Sequence, residues 1–297
     1  MVQSVNPIVG QTVYDGAVGS GGFLIEAYNH MSKVNLNTKE QEFLKRDTFF
    51  GNEKTPLGYV MGVMNMILHG IDSPNVFKQN TLTQNIRDIQ EKERHDVILA
   101  NPPFGGKEKS QVQQNFPVQS GATEILFMQH FMKMLRLDGR ASVLVPEGVL
   151  FQGENAFKQV KQELLENFNV HTILSLPAGL FLPYSNVKTN IIYFDRKGAT
   201  SDIWYYELIL PYKLTKNKTI KFEHFKEFLE LKDKRVETDN SWLVKVEDIT
   251  DYDISAKNPN AAEEEELLPP KEILQAIRSN DKELGELINH IESLLNE

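Results

Sequence analysis

Apolar and polar positions follow two alternating rhythms through the first two thirds of the chain. Residues 12–14 form a short apolar stretch that predicts a strand, residues 19–22 a turn, and residues 23–31 a helix. A second strand is expected over residues 47–50. Pro56 suits the first turn of a helix that continues over residues 57–68, with Gly70 as its stop. Residues 96–100 are apolar on both faces, as in a central strand. A long helix is expected over residues 122–137, closed by Gly139, and then a strand over residues 141–145 stopped by Pro146. Residues 154–168 place Phe157, Val160, Leu164 and Phe168 on one helical face, and residues 172–176 and 189–194 read as further strands. Strands alternating with helices predict an α/β fold with a mostly parallel sheet and flanking helices.

The rhythm changes after Lys197. Residues 203–210 predict a strand, Lys213 to Lys221 a basic loop, and residues 225–231 a short helix. The acidic run Glu263–Glu266 and the pair Pro269-Pro270 mark a linker before a terminal helix. The expected organisation is a catalytic domain over residues 1–198, an α/β extension over 199–260, and a linker with a C-terminal helical extension over 261–297. In the last segment Ile273, Ile277, Leu284, Leu287, Ile291 and Leu294 make an apolar stripe, widened by Leu274, Ile288 and Leu295. A seam that wide calls for a partner to cover it, and residues 271–297 are expected to be a docking helix.

Composition narrows the setting. The 297 residues include no cysteine, so disulfides and thiolate metal sites are excluded, in keeping with a reducing cytoplasm. No apolar run approaches the roughly 18 residues needed to cross a bilayer, and the first ten residues lack a leader's basic and apolar parts. The net charge is −9. A chain this acidic grips nucleic acid only through a local basic face or a partner.

Two strings carry chemistry. Residues 15–24 read Asp-Gly-Ala-Val-Gly-Ser-Gly-Gly-Phe-Leu, at a strand-to-helix turn. Gly19, Gly21 and Gly22 let a backbone approach a ligand closely. A phosphate loop would follow such glycines with Lys-Ser/Thr; here Phe23-Leu24 follows, which disfavours a nucleoside triphosphate. A dinucleotide site, an S-adenosylmethionine (SAM) site and a plain tight turn all remain open. Glu53 can accept hydrogen bonds from both hydroxyls of a ribose, and Asn80 can bond an adenine. Asp15, Glu53 and Asn101 each follow a strand, so the three can converge at the carboxyl end of a sheet.

The second string, residues 96–105, runs Asp-Val-Ile-Leu-Ala-Asn-Pro-Pro-Phe-Gly. An apolar strand leads straight into Asn101-Pro102-Pro103-Phe104. The prolines fix φ and keep their carbonyl acceptors. Asn101 adds an amide acceptor and Phe104 a flat apolar face. Such a set suits methylation of an exocyclic amine, whose lone pair is delocalised into its ring. Acceptance of its two N–H bonds by Asn101 and the Pro102 carbonyl favours a tetrahedral nitrogen, and the aromatic face holds a base that has left its duplex.

With these strings the chain resembles the N6-adenine DNA methyltransferases, and among them the modification subunits of type I restriction–modification systems. GSGGFL (19–24) is similar to the family's SAM turn, which implicates Gly19, Ser20, Gly21, Gly22 and Phe23 beside Asp15, Glu53 and Asn80. GNEKTPLGYVMGVMNMILHGI (51–71), HDVILANPPFGG (95–106), RASVLVPEGVLF (140–151), LSLPAGLFLPYSNVKTNIIYF (174–194) and YDISAKNP (252–259) resemble further family blocks. The resemblance implies a Rossmann-like SAM-dependent methyltransferase fold and SAM as cofactor. Its implied partners are DNA with a flipped adenine, a specificity subunit reached through residues 271–297, and a restriction and translocase subunit; no membrane is implied. Asn101, Pro102, Pro103 and Phe104 become the implied catalytic residues.

The chain departs from the family pattern at Asp15-Gly16, where Asp-Pro is usual, and at Gln79-Asn80-Thr81-Leu82, where Gly-Asp-Thr-Leu is frequent. A helical N-terminal domain and a Phe-Thr-Pro motif are expected in the family, and 14 residues precede Asp15. The expectation is therefore a shortened member that is weakly active alone. Two rivals are a non-catalytic assembly module and a protein-glutamine methyltransferase with a similar Asn-Pro-Pro string.

Overall fold

Nine strands form one sheet in the computed structural model, which describes residues 1–261 together with Leu274, Ile277, Arg278, residues 280–282 and residues 284–288. They are β1 (Val13–Asp15), β2 (Phe49–Glu53), β3 (Asn75–Lys78), β4 (His95–Ala100), β5 (Leu135–Pro146), β6 (Asn169–Ser175), β7 (Thr189–Asp195), β8 (Asp202–Glu207) and β9 (Ser241–Lys245). Their order across the sheet is β3-β2-β1-β4-β5-β7-β6-β8-β9. Five neighbouring pairs run parallel; β7 runs against both β5 and β6, and β9 against β8. The sheet is mostly parallel, as the alternating pattern predicts.

Helices cover both faces. In chain order they are α1 (Val2–Val5), α2 (Gly22–Met31), α3 (Thr38–Arg46), α4 (Pro56–Leu68), α5 (Ser110–Gln113), α6 (Thr123–Met134), α7 (Gly148–Phe151), α8 (Asn155–Asn167) and α9 (Lys226–Leu231). One core packs Leu24, Ile25 and Met31 of α2 and Met66 of α4 against Val13, Phe49, Val97 and Leu99. The opposite core packs Ile125, Met128 and Phe131 of α6 and Val160 and Leu164 of α8 against Ile98, Ala100, Ala141 and Val143. Strand residues of alternate parity thus feed different cores, as the pleat requires. The helix after β1 lies on one face and the helix after β4 on the other. Between these adjacent strands the connections part, the position where open α/β sheets bind ligands.

Several elements were not legible. α3 is polar apart from Phe43 and buried Leu44. Its start is nevertheless marked by a capping box, with Asn37 accepting from the Glu40 backbone and Glu40 returning a bond to the Asn37 N–H. β3 is an edge strand whose buried apolar residue is Val76, too little for a pattern. α6 stops at Met134, and β5 begins at Leu135 without a loop. The apolar Leu135 and Leu137 extend the helical period, but Leu135 has extended backbone and pairs with His95. Residues 136–139 then bulge out before Arg140 pairs with Val97. Beyond residue 198, β8 and β9 join the same sheet, and Phe228 of α9 stacks on Trp204 of β8.

Two compact units divide the chain, Met1–Pro259 and Asn260–Glu297. In the second, residues 284–288 are helical, and Leu274, Ile277, Leu284, Leu287 and Ile288 are exposed. Ile273, Ile291, Leu294 and Leu295 of the proposed seam lie outside the described residues.

Candidate functional site

The strand registers bring three polar residues to one end of the sheet. Tyr14 pairs with Ile98, so Asp15 lies level with Leu99, two residues before Asn101. On its other side Asp15 pairs with Gly51, two residues before Glu53. Glu53, Asp15 and Asn101 therefore end three adjacent parallel strands. With strands about 4.8 Å apart, they span roughly 10 Å.

The loop between β1 and α2 passes this end under tight steric limits. Gly19 and Gly21 take positive φ, 53° and 78°, and Gly21 caps α2. The loop is pressed against β2 and α4. A Cβ on Gly51 would come within 2.3 Å of Val18 and 2.5 Å of the Asp15 carbonyl. A Cβ on Gly62 would lie 2.6 Å from the Gly19 carbonyl. Asn65 of α4 completes the contact by donating to the Ser20 carbonyl at 2.9 Å. Gly51 and Gly62 were not singled out from the sequence, although a glycine inside a helical pattern is itself a sign of close packing.

Glu53 joins this loop to α4. One carboxylate oxygen accepts the Gly19 N–H at 2.9 Å; the other accepts the Thr55 N–H and hydroxyl at 2.8 and 2.7 Å. Burial alone would raise its pKa, but the bonds from Thr55, Gly19 and Lys54 outweigh it and hold the group below the usual carboxylate range. Asp15 behaves oppositely. It is 1% exposed, and burial pushes its pKa up to about 7, against the Ala17 N–H bond and with help from the Glu53 charge. Its Oδ1 accepts from Ala17 at 2.9 Å, while Oδ2 has no hydrogen bond among the described residues. Ser20 and Gly22 are exposed at the loop, whereas Phe23 lines a separate apolar groove beside Leu176 and Leu180.

The acceptor string leaves β4 at Asn101. Neither the Asn101 side chain nor the Pro102 carbonyl is bonded to protein among the described residues. The next residues are firmly held by the start of α6. Glu124 accepts the Gly105 N–H, Thr123 donates to the Pro103 and Gly106 carbonyls, and the Thr123 N–H donates to Gly106 at 3.2 Å. Gly105 has φ 67°. Phe104 meets Phe181 edge to face at 5.8 Å, leaving it half-buried. Thr123 and Glu124, missed in the sequence, thus shape the loop that carries the predicted residues.

Asn80 closes the side near β3. Its Oδ1 caps the turn at Leu82 N–H, 3.2 Å away, and Thr81 reaches across to the Gly16 carbonyl at 2.5 Å. Asn80 Nδ2 faces Glu108 at 3.4 Å, and Lys54 also contacts Glu108, at 3.0 Å. Glu108 was not anticipated, because nothing local links residue 108 to residues 54 and 80. Asp15, Glu53, Asn101 and Asn80 thus gather at one end, with Gly19, Ser20, Gly21 and Gly22 beside them.

Residues 1–267 match the N-6 DNA Methylase family. The type I restriction enzyme EcoEI methylase subunit of Escherichia coli is 35% identical over 310 residues, covering 99% of this chain and 62% of the relative. A chain from a solved structure on complex assembly and conformational transition of the type I R-M system is 44% identical with a TM-score of 0.84. That match covers 99% of this chain and 64% of the other. The crystal structure of the type I restriction enzyme EcoKI M protein is 28% identical, with a TM-score of 0.70, over 78% of this chain and 51% of that one. The chain spans between about half and two thirds of the length of these proteins.

Two predictions follow from packing and charge at the loop. Gly62→Ala forces a methyl group against the Gly19 carbonyl, so it should destabilise the fold by about 1–3 kcal/mol. Thermal melts of the variant beside the unsubstituted chain check it. Asp15 binds a proton in the folded chain at pH values where the unfolded chain has released it. Its contribution to stability is therefore full below about pH 4 and is lost as pH rises through about 7. Asp15→Asn should remove that fall, which is on the order of 4 kcal/mol at most. Denaturant melts at pH 5 and pH 8 measure it, and an unchanged difference would exclude Asp15 as the cause.

Proposed function

The chain belongs to the N-6 DNA methylase family, and from that membership we propose that it transfers a methyl group from SAM to the N6 amino group of adenine in DNA, as part of a type I modification subunit. Its fold is the Rossmann-like fold of SAM-dependent methyltransferases. The observation that carries the proposal is the Asn101 amide and Pro102 carbonyl, unbonded among the described residues at the end of β4, one strand from Asp15 and two from Glu53.

The residues at this end fit the cofactor. Gly19 and Gly21 keep the loop thin enough for backbone approach. Asp15, with a free oxygen, suits a cationic amino-acid group, and Glu53 retains acceptor capacity for ribose hydroxyls. Bound SAM supplies an electrophilic sulfonium methyl group. The protein's part is to prepare the nucleophile and to aim it. Asn101 Oδ1 and the Pro102 carbonyl accept the two N–H bonds of the adenine amine, which localises its lone pair. Phe104, braced by Phe181, offers a face on which a flipped base stacks. Thr123 and Glu124 hold these acceptors in place through the loop backbone, so little reorganisation is needed as charge develops.

In this reading the acidic chain works in the cytoplasm within a complex, where a specificity subunit reads the DNA sequence and a further subunit restricts and translocates. Residues 271–297 dock on the specificity subunit through their apolar face.

Asn101→Ala, in the assembled complex, should lower methyl transfer roughly 100-fold or more, as loss of one donor from an oxyanion hole does, with S-adenosylhomocysteine affinity little changed. Tritiated methyl incorporation into an adenine-containing duplex measures the first, and near-normal turnover would sink the reading. A chain ending at residue 270 should keep its melting temperature but fail to co-purify with the specificity subunit; intact co-purification would rule out the docking helix.

A further inference from the structure

Glu108 lies far along the chain from the donor-site motifs, yet the fold delivers its carboxylate to them. After Phe104 the chain crosses from the end of β4 over the end of β1 toward β2 and β3. There Glu108 Oε1 receives Lys54 Nζ at 3.0 Å and faces Asn80 Nδ2 at 3.4 Å. Lys54 follows β2, and Asn80 follows β3. The Glu108 backbone is fixed at both of its polar groups. Its N–H donates to the Gly121 carbonyl at 3.0 Å, and its carbonyl accepts from Gln113 Nε2 at 2.8 Å. The side chain is 11% exposed, and Oε2 has no hydrogen bond among the described residues.

A fixed, mostly buried carboxylate with one vacant oxygen is an acceptor in want of a donor. Asn80 beside it offers the complementary group. Its Oδ1 is engaged with Leu82, and its amide nitrogen carries two N–H bonds, one of which turns to Glu108. An acceptor next to an N–H donor matches one edge of adenine, where the exocyclic amine donates and ring nitrogen N1 accepts. It mismatches hypoxanthine, which presents a carbonyl and an N–H in those places.

We propose that Glu108, with Asn80, forms the adenine subsite of the donor pocket: its vacant carboxylate oxygen accepts the exocyclic amine and excludes bases that carry a carbonyl there. This rests on the SAM-dependent reading above and assigns the base end of that ligand. Lys54 pairs with the carboxylate and fixes its orientation, and the Asn80 amide serves N1. The chain's amide at position 80 is thereby compensated by a carboxylate from the acceptor loop.

The test compares two ligands on the full chain and its Glu108→Gln and Glu108→Ala variants. S-Adenosylhomocysteine and its deaminated analogue S-inosylhomocysteine are titrated by calorimetry. The unsubstituted chain should prefer the adenosyl ligand by about tenfold to a hundredfold, the range of a hydrogen bond to a charged group. In Glu108→Gln, whose amide can either donate or accept, the preference should shrink by roughly threefold to tenfold, the remainder coming from the Asn80 N–H that faces N1. Glu108→Ala should lose affinity chiefly for the adenosyl ligand. If both variants weaken both ligands by one factor, leaving the preference intact, Glu108 is only a brace for Lys54 and Asn80 and the inference falls. If the unsubstituted chain binds neither ligand, the cofactor reading itself fails first.

Discussion

The glycine loop after β1 has almost no room, and the site depends on that confinement. Its path runs between Gly51 of β2 and Gly62 of α4; a methyl group on the first would collide with the Val18 side chain and the Asp15 carbonyl, and on the second with the Gly19 carbonyl. The space those two glycines leave is filled by Val18 and by loop backbone, so neither neighbour can carry a side chain there. The Gly19 N–H is taken by Glu53. The same carboxylate caps the start of α4 through Thr55, so the loop, the end of β2 and the first turn of α4 move as one body. A ligand at this end would meet a surface already organised by packing, which lowers the entropy lost on binding.

Charge at the site is arranged by unequal solvation. Glu53, bonded by Gly19, Thr55 and Lys54, is kept ionised, and Asp15, buried beside it with one bond, is pushed toward neutrality near pH 7. Two carboxylates this close repel, and burial decides which yields. A cation placed beside Asp15 reverses the balance, because it restores the charged form in the folded state. Binding of a cationic ligand is thereby linked to release of a proton, and the affinity for it should rise with pH across the range where free Asp15 titrates.

Much of this was readable in the chain, for identifiable reasons. The strand-to-helix turn at residues 15–24 and the Asn-Pro-Pro-Phe string declare themselves because glycine and proline restrict the backbone locally. Central strands such as β4 show up as unbroken apolar runs. What failed were features whose cause is tertiary. β3 and β9 are short, at the two edges of the sheet, and each buries few side chains. α6 passes into β5 with no breaker, so the helical period of Leu135 and Leu137 gave way to pairing with β4. Of α3 only the start is marked locally, by the Asn37–Glu40 capping box. Asn80 could be placed at the right end of the sheet, but its Oδ1 bond to Leu82 and its contact with Glu108 depend on where residues 105–121 run.

That loop couples the two halves of the site. At its start, Glu124 and Thr123 at the head of α6 hold the Phe104-Gly105-Gly106 turn. Four residues later, Glu108 reaches Lys54 and Asn80 at the ends of β2 and β3. Between these anchors the chain bridges the cleft between β4 and β2, with the end of β1 beneath it. A shift at the donor end is transmitted over few residues to Phe104, whose position sets where a base could stack. Because both anchors are polar and act on backbone or on a carboxylate, they resist displacement by direction as well as by distance. A displacement of about 1 Å at a reacting centre can lower a rate about 100-fold. A loop anchored at both halves therefore suits methyl transfer better than one anchored at a single half, since the donor and the acceptor must be aligned with each other and not only with the sheet.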